Sequence, residues 1–367
     1  MSTSRTRRRR ALQPPPAIVK TMSQMLREIR QQPEALDRTL TSCLRPMDRF
    51  RRLLEKNRPR LIVLVARGTS DNAAQFGRYL LEITTGIPVS LAAPSITTLY
   101  DAPLLYRGAL VVAISQSGES TDINAVLQQA RIAGALTVGI TNQAASAMTK
   151  IAEHIFLVRA GDEKSVAATK TYTGQMMVLY LLSWALGGID RVSDLQRLPA
   201  AVSGALRLEN QIAELAGRYR FMTRAIVVGR GLNYANAFEF ALKLMETSYV
   251  VAERFSSADF LHGPIALVEP GFPVFAFAPP GVTWPSISIT LEKLQALRAE
   301  ILAITDAGNS NIASHAGRVI RLRSKLAEVF TPIPYVVPAQ LFAACLATEK
   351  GLDPDRPRTI SKVTQTL

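Results

Sequence analysis

Cysteine, histidine and tryptophan are scarce in this chain. Two cysteines, Cys43 and Cys345, cannot build a disulfide framework, and they suit a reducing compartment as small buried hydrophobes. Three histidines, His154, His262 and His315, show no metal-ligand spacing, which argues against a bound zinc or iron. No apolar run is long enough to cross a bilayer; the longest, Met176 to Leu186, reads as a buried helix. A secretory signal is missing too, since the basic start runs into Pro14-Pro15-Pro16 instead of an apolar region. These absences lead to the expectation of a cytoplasmic protein with no membrane contact, no metal and no cofactor.

What remains is a chain of 367 residues, 48% hydrophobic and 20% charged, enough for two domains of ordinary size with a large core. The net charge is +14, and Arg5, Arg7, Arg8, Arg9 and Arg10 supply five of it, leaving +9 elsewhere. No aromatic residue interleaves the arginine tail, so it reads as a solvated face and argues against a nucleic-acid partner. The remaining excess fits an anionic small substrate.

Apolar runs alternate with helical periods along the chain. Ile18 to Arg30, Pro33 to Leu44 and Met47 to Lys56 have helical spacing. Strands follow at Arg60–Ala66, Pro88–Ala92, Ala109–Ile114, Ala135–Thr141 and Ile155–Val158, with a helix from Ala73 to Thr84 and a long one ending near Leu186. This order predicts a parallel sheet covered on both faces. The second half repeats the first. A shift of 163 carries Arg67-Gly68 onto Arg230-Gly231, Ala109–Ile114 onto Phe272–Phe277 and Gly118 onto Gly281; a shift of 164 carries Gly139–Asn142 onto Ala303–Asp306. The chain is therefore read as two tandem copies of one flavodoxin-like, doubly wound α/β domain. The expected boundaries are 46–195 and 208–347, with N-terminal helices and tail over 1–45 and a C-terminal tail over 348–367.

Three stretches carry chemistry. Ser115, Gln116, Ser117, Gly118, Glu119 and Ser120 join the strand Ala109–Ile114 to a helix marked by Ile123, Val126 and Leu127. Such a turn is either an N-capped βα connection or an anion cradle suited to a phosphate monoester, with hydroxyls, glycine and a helix N-terminus facing the guest. The second copy has Ala278-Pro279-Pro280-Gly281 there, which removes hydroxyls and N–H donors, so it is not expected to hold a phosphate. Within the helical stretch Phe238 to Val250, Glu239, Lys243 and Glu246 share one face, either as a solvated ion-pair stripe or, given Phe240, Leu244 and Met245 on the other flank, as buried charges. Third, His262 precedes Gly263-Pro264 in a turn, where it is either structural or an acid–base group.

These residues, with Arg67-Gly68-Thr69-Ser70, Ser165-Val166-Ala167-Ala168-Thr169-Lys170, Gly231-Leu232-Asn233-Tyr234, Phe260-Leu261-His262-Gly263-Pro264 and the ending Gly351-Leu352-Asp353-Pro354 through Pro357-Arg358 to Ser361-Lys362-Val363, resemble the sugar isomerase (SIS) family. The resemblance runs from about Leu61 to the C-terminus. It is to the isomerase half of glutamine–fructose-6-phosphate aminotransferase and, in the run from Ser165 to Thr173 and in the ending, more to stand-alone glucosamine-6-phosphate deaminases. It implies a site at the junction of the two copies. Gly68, Ser70, Ser115, Gln116, Ser117 and Ser120 would hold the sugar phosphate, and Val166 and Ala168 would line the sugar. Glu246 would move the proton between C1 and C2. Lys243, with Glu239 as its charge partner, would act on a sugar oxygen. His262, supplied by the neighbouring subunit of a homodimer, would open the ring, and Lys362 would form a Schiff base with the open-chain ketose.

Three departures bear on the reaction. Ala168 stands where the synthase has serine, and Met245 where it has lysine. Ser2 follows Met1 where the synthase has its glutaminase cysteine, and about 45 residues ahead of the first repeat are too few for such a domain. The expected activity is thus isomerising deamination of glucosamine 6-phosphate to fructose 6-phosphate and ammonia. The alternatives are a synthase-like isomerase or aminotransferase without its glutaminase, and a non-catalytic sugar-phosphate-binding regulator.

Overall fold

The computed structural model describes residues 22–362. The arginine tail, Pro14-Pro15-Pro16, residues 18–21 of the first expected helix and Val363 lie outside the described residues.

Short runs rich in Val, Ile, Leu and Ala form the strands of two sheets. The first contains β1 (Leu61–Val65), β2 (Val89–Leu91), β3 (Ala109–Ile114), β4 (Leu136–Thr141) and β5 (His154–Leu157), in the order β2-β1-β3-β4-β5. The second contains β6 (Arg224–Gly229), β7 (Val251–Ser256), β8 (Pro273–Phe277), β9 (Glu300–Asp306) and β10 (Arg318–Leu322), in the order β10-β9-β8-β6-β7. All neighbours pair in parallel. Read from the other edge, the second order equals the first, and the shift of 163–164 found in the sequence superposes all five strands of one sheet on the other. Both sheets have the flavodoxin-like strand order, in which ligands bind outside the carboxyl ends of the two strands flanking the order reversal. In the first sheet these are β1 and β3.

Alternation along the strands sorts side chains into three cores. Val63, Val65, Val111 and Ala113 face outward under the helix Thr121–Ile132, and Ile226, Val228, Val274 and Ala276 face outward in the second module. The opposite faces, with Ile62, Leu64, Leu110 and Val112 from one sheet and Val227, Phe275, Phe277 and Leu302 from the other, share one central core. The helices Lys170–Ala185 and Pro332–Glu349 belong to that core and are buried nearly all round, which explains why neither shows an amphipathic stripe. Among the described residues no helix is long and apolar enough to cross a membrane.

Four local expectations need correction. A single helix, Gln32–Lys56, runs through Pro46 where two were expected. Pro46 is half-buried, whereas the buried stripe Leu36, Leu40, Cys43, Met47, Phe50 and Leu54 continues unbroken across it. Packing of that stripe offsets a proline cost of roughly 3 kcal/mol. The helix after β1 starts at Thr69, not Ala73, so Thr69, Ser70 and Asn72 lie in its first turn. The helix after β6 spans Tyr234–Ser248 and ends at Tyr249 in the left-handed conformation. Met245, placed on its apolar flank by the sequence, is 37% exposed.

Candidate functional site

The two helices related by the repeat, Thr69–Thr85 and Tyr234–Ser248, pack against each other. Each begins beside a glycine with positive φ, Gly68 at +56° and Gly231 at +57°, which lets the chain turn sharply off its strand. This contact brings the carboxylate helix of the second module to the carboxyl ends of β1 and β3. A cleft of about 350 Å³ lies there.

Gly68, Ser70, Ser115, Gln116, Ser117, Ser120, Val166, Ala168, Glu246 and Lys362 all line this cleft. It therefore gathers ten of the thirteen residues singled out in the sequence. The other three lie elsewhere. Glu239 and Lys243 are fully buried behind Glu246, and His262 is exposed at the end of the helix Ser257–Leu261 and does not line the cleft of its own chain.

The serine turn is held in a fixed shape. Ser115 Oγ accepts from the Gly118 N–H at 3.1 Å and lies 3.4 Å from Ser120 Oγ, and Ser117 Oγ accepts from the Glu119 N–H at 3.2 Å. Gly118 has φ +67°, and a β-carbon there would collide with the side chain of Ser146, so only glycine fits. Its carbonyl accepts from Asn124 Nδ2 at 3.1 Å and from the Met148 N–H at 3.0 Å. Ser120 occupies the N-cap position of Thr121–Ile132 without spending its side chain on a cap hydrogen bond. Arg67 adds positive charge at the rim while its Nε donates to the buried Asp122 at 2.7 Å. Hydroxyls, a helix N-terminus and a guanidinium thus converge as an oxyanion cradle.

The corresponding turn of the second module is already occupied by the chain itself. Glu328 accepts from the Thr283 N–H at 3.3 Å and from Thr283 Oγ1 at 2.6 Å, at the start of the helix Trp284–Ala296. Thr283 is the repeat equivalent of Ser120, so a resident carboxylate sits where the first module presents an open cradle.

Behind the cleft, Lys243 Nζ lies 2.5 Å from Glu246 Oε2, 3.4 Å from Glu239 Oε1 and 3.0 Å from Thr69 Oγ1. Its nearest carboxylate is Glu246, not Glu239, the charge partner expected from sequence. Glu239 accepts from Asn72 Nδ2 at 2.7 Å, and its other oxygen has no hydrogen bond. Burial pushes the Glu239 carboxyl up to about 7, opposed by Lys243 and Asn72. For Lys243, burial acts downward, but the two carboxylates outweigh it and the amine is raised. One ammonium held between two carboxylates leaves Glu239, the more distant, under-compensated.

Sequence reasoning missed several contributors. Thr69 and Asn72 were visible as neighbours of Ser70 but looked like loop residues. Lys362 Nζ donates to Glu163 Oε2 at 2.9 Å and to the Ser165 carbonyl at 2.7 Å. Glu28, in the helix Gln24–Arg30, accepts from the Lys164 N–H at 2.6 Å and from the Ser165 N–H. Asp355 caps that helix by accepting from the N–H groups of Gln24 and Met25 at 2.6 and 2.8 Å. No local pattern announces contacts that span more than 130 positions.

Comparison with known proteins identifies the family. The SIS domain model matches residues 56–185 and 222–350. The chain is 36% identical over 338 residues to glutamine–fructose-6-phosphate aminotransferase (isomerizing) of Methanothermobacter thermautotrophicus, and 37% identical over 346 residues to that of Pyrococcus horikoshii. Each match covers 92% of this chain but 56% and 57% of the relative, so the chain spans little more than half the length of these curated relatives. The C-terminal domain of glucosamine-fructose-6-phosphate aminotransferase from Francisella tularensis superposes with a TM-score of 0.83 at 29% identity, over 93% of this chain and all of that one. Glucosamine-6-phosphate deaminase of Thermotoga maritima shares the fold, with a TM-score of 0.73 at 20% identity over 94% of this chain and all of that one. The chain belongs to the SIS domain family, as two SIS domains in tandem.

Proposed function

We propose that the chain is an isomerising glucosamine-6-phosphate deaminase. The observation that carries this reading is a single cleft that combines an oxyanion cradle from the first module, a carboxylate from the second and an amine from the C-terminal tail. A phosphorylated sugar seated by Ser70, Ser115, Gln116, Ser117 and Ser120 presents its carbon chain to Val166, Ala168, Glu246 and Lys362. His262 of a second copy opens the pyranose ring, which makes the working unit a homodimer. Glu246 takes the proton from C2 and returns it to C1, turning the open-chain amino aldose into a C2 imine. Lys243, held against Glu246, orients that carboxylate. Lys362 exchanges for the nitrogen at C2, releasing ammonia, and water then cleaves the new imine to give fructose 6-phosphate. The steps are proton transfer, imine exchange and imine hydrolysis, and none calls on a metal or an organic cofactor.

A second reading, a synthase-like isomerase that takes up ammonia, is favoured by the names of the relatives at 36–37% identity. Ammonia release from glucosamine 6-phosphate, measured without added cofactor, separates the two. Deamination is expected with the unaltered chain, and Glu246→Gln should bind substrate while losing at least about 10²-fold in turnover. No ammonia from glucosamine 6-phosphate, with fructose 6-phosphate and ammonia consumed instead, would favour the second reading. Full activity of Glu246→Gln would remove the base from its assigned role.

A further inference from the structure

We propose that Glu163 is the positioning residue for Lys362 and the acceptor of the proton that this amine must lose before it attacks the sugar. The inference rests on Lys362 being the imine-forming amine, as proposed above. Glu163 does not line the cleft, although Val166 and Ala168 of the same loop do.

The geometry is specific. The Glu163 side chain is fully buried. One oxygen accepts from the N–H groups of Thr169 and Thr171 at 2.9 and 3.1 Å. The other accepts from Thr171 Oγ1 at 2.7 Å and from Lys362 Nζ at 2.9 Å. Four donors thus surround this carboxylate, and one of them is the amine that reaches the cleft. Burial alone would raise the carboxyl, but Lys362 and the Thr169 and Thr171 donors outweigh it and hold the group below its ordinary value. It is therefore a carboxylate when the sugar arrives. Other charges facing this corner are Lys170, which feels both Glu28 and Glu163, and Glu246 across the cleft. Glu28 holds the backbone N–H groups of Lys164 and Ser165, so the loop carrying Glu163 is fixed from the N-terminal helix.

An ammonium has no lone pair. With fructose 6-phosphate bound, one Lys362 proton passes to Glu163, and the freed pair forms the N–C2 bond as the carbonyl π pair moves to oxygen. A second nitrogen proton moves to that oxygen, giving a neutral carbinolamine. Glu163 then returns its proton to the nitrogen that it faces, a nitrogen proton moves to the hydroxyl, which leaves as water, and the nitrogen pair forms the iminium. In sum, one ammonium and one ketone become one iminium and one water, with Glu163 restored. The Ser165 carbonyl keeps the amine aimed meanwhile, since it accepts from Nζ without taking a proton.

The test is borohydride trapping of fructose 6-phosphate on the full chain, with the adduct at Lys362 quantified by mass spectrometry between pH 6 and 9. In Glu163→Gln the amide oxygen can still accept from Thr169 and Thr171, but no base faces Lys362. The trapping rate at pH 7 should fall by about 10²-fold, recover steeply as pH rises, and leave the affinity for fructose 6-phosphate unchanged. Should the amide prevent folding, Glu163→Asp keeps the base one methylene further away, and should slow trapping by about tenfold with the wild-type pH profile. Trapping at the wild-type rate in either folded variant, or a loss in Glu163→Gln that is uniform across pH, overturns the proposal. An unaltered chain that releases no ammonia but still traps the ketose at Lys362 would sink the deaminase reading alone. An unaltered chain that traps nothing at Lys362 would sink this inference with it.

Discussion

Replacing Glu239 by glutamine should make the chain less sensitive to pH. Glu239 is fully buried and carries a carboxyl raised from 4.5 to about 7, because burial outweighs the pull of Lys243 and Asn72. The folded chain therefore binds this proton more tightly than the unfolded chain does. The stabilisation is fully present below about pH 4.5 and is lost as pH rises through about 7. Lys243 is raised as well, so it stays an ammonium across that window and does not reverse the sign. The shift corresponds to about 3 kcal/mol between the two limits. Glu239→Gln fixes the neutral form and keeps an oxygen to accept from Asn72. Denaturation by urea or heat at pH 5 and pH 8 should show the unaltered chain losing about 2.5 kcal/mol more than the variant, or roughly 3 °C in melting temperature. Other titrating groups are common to both proteins and cancel in the comparison. Stability curves that run parallel between pH 5 and 8 would refute the reasoning, because the carboxyl would then not titrate differently in the folded state.

Two further outcomes are expected, one from the proposed homodimer and one from the Thr283 turn. Mixing inactive His262→Ala and Glu246→Gln chains should restore roughly a quarter of the wild-type ammonia release, since in the proposed homodimer a mixed pair regains one complete site; a mixture as inactive as its parents would mean that His262 serves its own chain or none. Glu328→Ala should cost about 0.5–2 kcal/mol by uncapping the helix Trp284–Ala296, with turnover unchanged, and a loss of turnover without a loss of stability would contradict a purely structural carboxylate there.

Much of the fold was legible because strand-forming runs are local. Ala109–Ile114 is a strand at the residues its pattern marked, and the repeat shift identified from three elements holds for all five strands of each sheet. The cleft was legible where chemistry follows a strand end, as at Ser115–Ser120 after β3. Pro46 misled because a buried stripe held the helix together through it. Met245 misled because the helix is buried on more than one side yet leaves that position open. The support around Lys362 was hidden for another reason. Glu28, Glu163 and Asp355 act on partners that are distant in sequence, and such contacts carry no periodic signature.

The most direct test of the central claim, that the first module grips the phosphate while the second module and the tail act on the carbon chain, is a crystal structure of the chain with fructose 6-phosphate bound. The account predicts the phosphate oxygens within hydrogen-bond distance of Ser115, Ser117 and Ser120, with C1 and C2 between Glu246 and Lys362. A phosphate seated at the Thr283 turn of the second module, or a sugar whose C1 and C2 lie outside the reach of Glu246, would contradict it.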